Sequence, residues 1–138
     1  MFRILLFISL MAGIISVARA QDAAFIVNTQ STETTLSVAA LKAVLLGNKI
    51  KWDSGGVIKI TVPKSGAVHE KVVQDYVQRS AEQFDKYWKK LVFTGKGVMP
   101  TQAANDAEII EYVAQTPGAF GYVSASAVND RVKVIKIQ

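Results

Sequence analysis

The chain has 138 residues, half of them hydrophobic, with a formal net charge of +5 at neutral pH and no cysteine. This length suits one domain around one hydrophobic core. The absence of cysteine excludes disulfides, thiolate metal sites, a thiol nucleophile and a lipidated cysteine.

The first twenty residues have the pattern of a secretory signal peptide. A short positive start at residues 1–3 precedes an apolar run over residues 4–17, and Ala18-Arg19-Ala20 supplies the small residues of a signal-peptidase site. A membrane anchor is the alternative, but the run is shorter than the ~20 residues that span a bilayer. We therefore expect cleavage before Gln21, a periplasmic location and a chain that is not membrane-embedded.

Cleavage would leave residues 21–138 as a single domain. Two of the 16 basic residues leave with the signal peptide, so 14 remain against 11 acidic residues, a net charge of +3. This surplus favours anionic partners only mildly, and nucleic acid is not expected as a partner in that compartment.

Strand and helix patterns alternate along the first half of this domain. We expect a buried strand at residues 24–28, then a polar stretch at residues 29–35 and a helix that begins after Ser37 and ends at Gly47. A second strand is expected at residues 57–62, stopped by Pro63.

Three further helices and two strands are expected in the second half. The first helix follows Lys64-Ser65-Gly66, with Val68, Val72, Tyr76 and Val77 on one face. The other two begin at capping boxes, Ser80 with Gln83 and Asn105 with Glu108. Strands at residues 119–123 and 132–137 complete the order β-α-β-α-α-α-β-β, an α/β pattern whose crossover helices imply some parallel pairing.

Three segments carry a resemblance to a known family. They are Leu-Leu-Gly-Asn-Lys-Ile-Lys-Trp-Asp at 45–53, Phe-Thr-Gly-Lys-Gly at 93–97 and Pro-Gly-Ala-Phe-Gly-Tyr-Val at 117–123. In content and order they resemble the periplasmic phosphate-binding proteins, the substrate-binding subunits of phosphate ABC transporters. The resemblance runs from about Phe25 to Ser124. It implies a single lobe of the type II periplasmic-binding-protein-like fold, a mixed sheet flanked by helices, with no enzymatic activity and no cofactor.

The resemblance also implies a ligand, phosphate or another small oxyanion, and a link to phosphate uptake. The family's Arg-x-x-x-Ser-Gly-Thr signature corresponds to residues 61–67, where Ser65 and Gly66 match it. Thr61 stands at the Arg position and Ala67 at the Thr position, so two anion-binding side chains are missing. The candidate anion site is therefore Lys64, Ser65, Gly66 and Ala67, with Lys64 as the nearby cation.

Elementary chemistry supports an anion site at this turn independently of the resemblance. The first amides of a helix lack intrahelical partners, and the helix dipole adds partial positive charge. Gly66 lets an anion approach the backbone, and Ser65 can donate its hydroxyl. The alternative is that Ser65 only caps its own helix.

Catalytic and metal sites are not predicted. His69 follows Ser65 by one helical turn, but no motif places an orienting acid and there is no Gly-x-Ser-x-Gly elbow. We expect His69 to be solvated. Ligand spacing for a metal is also absent from the sequence. Phe84 and Trp88 lie on the apolar stripe of their helix, which favours core packing over ligand stacking.

Two other interpretations stay open. The chain could be an interaction module that has lost ligand binding and docks on an envelope protein partner. It could also self-associate to rebuild a two-sided cleft around the ligand.

Overall fold

The computed structural model describes residues 22–138, which form one six-stranded sheet with helices on both faces. The predicted signal peptide and its cleavage position lie outside the described residues. The elements in chain order are β1 (Ala23–Val27), β2 (Thr35–Leu36), α1 (Val38–Leu45), β3 (Lys59–Pro63), α2 (Ala67–Val72), a π-helical turn (Val73–Val77), α3 (Ala81–Phe93), β4 (Thr101–Ala103), α4 (Asp106–Gln115), β5 (Ala119–Ser124), a 3-10 turn (Ala125–Ala127) and β6 (Lys133–Ile137).

The sheet has the strand order β2-β6-β1-β5-β3-β4 and mixes both kinds of pairing. Strand β1 is antiparallel to β5 and β6, whereas β3 is parallel to both β5 and β4, and β2 is parallel to β6. The predicted α/β class and parallel pairing are confirmed. The short edge strands β2 and β4 were not predicted, and β3 begins at Lys59 instead of Val57, which forms only an isolated bridge to Lys51.

Side chains on the two faces of the central strands pack into two separate hydrophobic cores. In β5, Phe120 and Tyr122 point to the core shared with α1, α2 and α3, whereas Ala119 and Val123 point to the core shared with α4. The two cores lie on opposite faces of the sheet, so α2 and α4 are on opposite sides of it. Phe84 and Trp88 are buried in the first core, as predicted.

Three helices begin at side-chain caps that the sequence predicts. Ser37 accepts from the amide of Ala40 at the start of α1, and the Ser80–Gln83 capping box is complete at the start of α3. Asn105 caps α4, but Glu108 accepts from the amide of Ala104 and not from that of Asn105. The prediction that Asn105 caps α4 is therefore confirmed. The prediction that the Glu108 side chain accepts from the Asn105 amide is wrong, because it accepts from the preceding residue instead.

Candidate functional site

A crevice opens where the adjacent parallel strands β3 and β4 end. The chain leaves β3 towards α2 on one face of the sheet and leaves β4 towards α4 on the other face. The amide of Lys64 donates to the carbonyl oxygen of Ala103 at 2.9 Å, so the two departing segments are tied together at the crevice. Such a divergence at the carboxyl ends of parallel strands is where open α/β sheets bind ligands.

Three of the four predicted site residues line a cleft at this point. The cleft has a volume of about 240 Å³ and is formed by Pro63, residues 65–69, residues 104–106 and Ser124, so it includes Ser65, Gly66 and Ala67. These three residues are exposed. Lys64 is exposed as well, but it lines a separate cavity of about 50 Å³ that also contains Asp85.

The start of α2 faces this cleft without a capping side chain. The N-cap is Gly66, with φ 112° and ψ 167°, and the first intrahelical bond runs from the amide of Glu70 to Gly66 O. Ser65 does not cap the helix, so the alternative that this serine serves only as the cap of its own helix is wrong. Since α1, α3 and α4 all have a side-chain cap, α2 differs from the other described α-helices in that no side chain accepts from its first amides.

The opposite wall of the cleft is the start of α4, which the sequence did not link to the site. Asn105 Oδ1 accepts from the amide of Glu108 at 3.0 Å, and Asp106 Oδ2 accepts from the amide of Ser124 at 3.3 Å. Asp106 therefore brings a carboxylate to the cleft. The sequence carried a signal for the helix start at Asn105 but none for its position beside Gly66, because that depends on β4.

His69 forms the floor of the cleft, and the expectation that it is solvated is wrong. Its side chain is buried, its ring stacks on Tyr122 and its Nδ1 lies 2.6 Å from Tyr122 Oη. Burial lowers the pKa of His69, an effect that the carboxylates of Glu70 and Asp85 oppose, and burial raises the pKa of Tyr122. Which of the two groups donates depends on the tautomer of His69, and the Tyr122 hydroxyl donates when Nδ1 carries no proton.

Thr61, which the sequence resemblance aligns with an arginine of the phosphate-binding proteins, does not reach the cleft. Its side chain is fully buried and packs beside Gly121, where an added Cβ would lie 2.8 Å from Thr61 Cγ2. Within residues 22–138, Thr61 Oγ1 has no hydrogen-bond partner. The position thus contributes to the core between the sheet and α4 and supplies no ligand group.

Residues 22–138 contain neither a cluster of metal ligands nor a membrane-spanning helix. No group of three or more histidine, cysteine, aspartate or glutamate side chains in residues 22–138 could hold a metal ion. The helices in the same range are all too short or too polar to cross a bilayer.

Comparisons with known proteins find likeness in structure and not in sequence. No protein-family model matches the chain, and no curated protein does. One solved structure that matches is described as a phosphate ABC transporter substrate-binding protein from Clostridium perfringens with bound phosphate. Its TM-score is 0.66 at 21% sequence identity, and the match covers 83% of this chain and 44% of that chain.

Two further solved structures agree with it. A phosphate-binding protein from Stenotrophomonas maltophilia has a TM-score of 0.68 at 13% identity, over 84% of this chain and 39% of its own. An ABC-type phosphate transport receptor from Vibrio cholerae has a TM-score of 0.57 at 15% identity, over 83% of this chain and 45% of its own. The chain spans less than half the length of these structures. The likeness confirms the predicted fold, a single lobe of the periplasmic-binding-protein type with a mixed sheet flanked by helices.

Proposed function

We propose that this chain is a non-enzymatic, exported substrate-binding-like protein that takes a small oxyanion, with phosphate the first candidate, in the cleft of Ser65, Gly66 and Ala67. The observation that carries the proposal is the uncapped start of α2 at the crevice between β3 and β4. The phosphate-related names of the structural neighbours support the choice of ligand and a link to phosphate uptake. The same neighbours support a periplasmic location.

The chemistry of the cleft follows from its donors. The first amides of α2 and the Ser65 hydroxyl can donate to ligand oxygens, and Lys64 adds positive charge nearby. The cleft is open to solvent and lacks the family's arginine, so we expect only ~1–3 kcal/mol from each charge-assisted bond. An affinity in the millimolar range follows from a few such bonds.

Asp106 favours phosphate over sulfate in this cleft. A carboxylate repels a fully ionised anion, but it can accept a hydrogen bond from an oxyanion that keeps a proton. Hydrogen phosphate keeps a proton at neutral pH and sulfate does not. Phosphate is therefore expected to bind more tightly than sulfate.

Isothermal titration of residues 21–138 with phosphate and with sulfate tests the proposal. We expect saturable millimolar binding of phosphate, weaker binding of sulfate, and a several-fold loss of phosphate affinity in Ser65→Ala. Ser54→Ala is the matched control, because Ser54 is exposed in a turn outside the cleft. No heat with phosphate, or equal losses in both variants, would contradict the proposal and favour an interaction module that docks on an envelope protein.

A further inference from the structure

A second concave site lies on the molecule, away from the cleft of Ser65. It is a groove of about 390 Å³ between residues 47–60 and residues 96–101, and it shares no lining residue with the first cleft. Its floor contains the buried side chains of Ile58, Trp88 and Pro100. Three aliphatic side chains on its walls are largely exposed, with exposed fractions of 62% for Ile50, 57% for Val57 and 88% for Val98.

The walls of this groove are held in place by the indole of Trp88. Its Nε1 donates to Leu45 O at 3.0 Å, and its ring lies against the backbone of both walls. A Cβ added to Gly47 would come within 2.7 Å of the ring, and one added to Gly97 within 3.3 Å. The groove is therefore preformed, and a ligand would not have to order the loops that build it.

The charge around the groove has one sign. Lys49, Lys59 and Lys96 line it, and no aspartate or glutamate does. Lys49 forms an ion pair with Asp53 at 2.7 Å, but Asp53 is highly exposed, so solvent weakens that pair. Within the described residues, Lys59 and Lys96 have no ion pair. An apolar floor beneath a positive rim is complementary to an apolar molecule that carries an anionic group.

We propose that this lysine-rimmed groove binds an anionic amphiphile, a compound with an aliphatic body and one carboxylate. The body lies on Trp88 and Ile58, where it also covers the exposed wall residues, and the carboxylate lies between Lys59 and Lys96. The volume falls at the lower end of the range for small-molecule pockets, which suits a medium-chain carboxylate such as decanoate.

Calorimetric titration of the protein comprising residues 21–138 with decanoate, kept below its critical micelle concentration, tests this site. We expect saturable binding that Lys96→Gln weakens about 3- to 10-fold, as the loss of one exposed charge partner implies. Val98→Asp, which places a carboxylate on the exposed wall, should weaken binding by at least a similar factor. Lys136→Gln is the matched control, because it removes the same charge from an exposed position on β6, outside the groove.

Several results would overturn the proposal. Decanoate binding that does not saturate would contradict it. Equal losses of decanoate affinity in Lys96→Gln and Lys136→Gln would also contradict it, because they would indicate unspecific electrostatic attraction. Cosedimentation with phosphatidylglycerol vesicles without decanoate binding would assign the surface to a membrane instead. Ser65→Ala should leave decanoate affinity unchanged, so the failure of one site is distinguishable from the failure of the other.

Discussion

The Nδ1 atom of His69 lies 2.6 Å from the hydroxyl oxygen of Tyr122, and the two rings are stacked with 9° between their planes. His69 belongs to the first turn of α2, and Tyr122 belongs to the central part of β5. The contact therefore holds the first turn of α2 against strand β5 of the sheet. It sets where the uncapped amides at Gly66 point.

The burial of His69 makes the stability of the protein depend on pH. Since burial lowers the pKa of His69 in the folded state below its unfolded value of 6.5, the unfolded chain takes up a proton first on acidification. The stabilisation is complete above about pH 6.5 and is lost as the pH falls towards the folded pKa, with a slope of at most about 1.4 kcal/mol per pH unit. Glu70 and Asp85 reduce the size of the shift without reversing it.

Urea unfolding at pH 7.5 and pH 5.5 measures this effect. The free energy of unfolding should fall on acidification in the natural sequence, and His69→Gln should remove most of that fall. Carboxylates titrate mainly below this window, so they add little to the difference. If the free energy of unfolding of His69→Gln falls between pH 7.5 and pH 5.5 as much as that of the natural sequence, His69 is not the titrating group.

Gly66 is expected to resist substitution more than a comparable exposed glycine. Its φ of 112° and ψ of 167° lie in a region that is essentially restricted to glycine, although no atom lies within 4 Å of where a Cβ would be. We expect Gly66→Ala to cost about 1–3 kcal/mol of stability and to weaken phosphate binding, because the α2 amides would shift.

Gly95→Ala is the control for this substitution. Gly95 has φ 72° at the end of α3 and equally open surroundings, so its change should cost only about 1 kcal/mol and leave phosphate binding intact. Thermal unfolding and calorimetry on both variants make the comparison. Equal losses of binding would show that the conformation of Gly66 has no special role.

Removing the buried hydroxyl of Thr61 should stabilise the protein. Thr61→Val keeps the branched shape and eliminates an oxygen that has no partner within the described residues, so we expect a gain of about 1 kcal/mol in the free energy of unfolding. Thr101→Val is the control, because Thr101 pairs with Thr61 in the sheet but is exposed, and its change should stay within about 0.5 kcal/mol. Destabilisation by Thr61→Val would point to a partner for the hydroxyl, such as a buried water.

The helices were predictable because their signals are local. Ser37, Ser80 and Asn105 each act within one turn, and apolar spacing marked Phe84 and Trp88 as core residues. Strands β2 and β4 have two and three residues, which is too few to show an alternating pattern. Their existence depends on pairing with distant strands and not on their own composition.

The site was predictable only on one side. The sequence marks the Ser65–Gly66 turn as a helix start. The starts of α2 and α4 meet at one cleft only because β3 and β4 are neighbours whose chains leave the sheet on opposite faces. The position of Asp106 was missed for that reason. The burial of His69 was missed because it depends on Tyr122, which lies 53 residues further along the chain.

Phosphate titration of the ¹⁵N-labelled protein, followed residue by residue in amide NMR spectra, tests the central claim most directly. We predict saturable shifts of the amide signals of Gly66, Ala67 and Val68, with a millimolar midpoint for phosphate and smaller shifts for sulfate. Shifts that are absent there, or that are spread over exposed lysines elsewhere, would contradict binding at the start of α2.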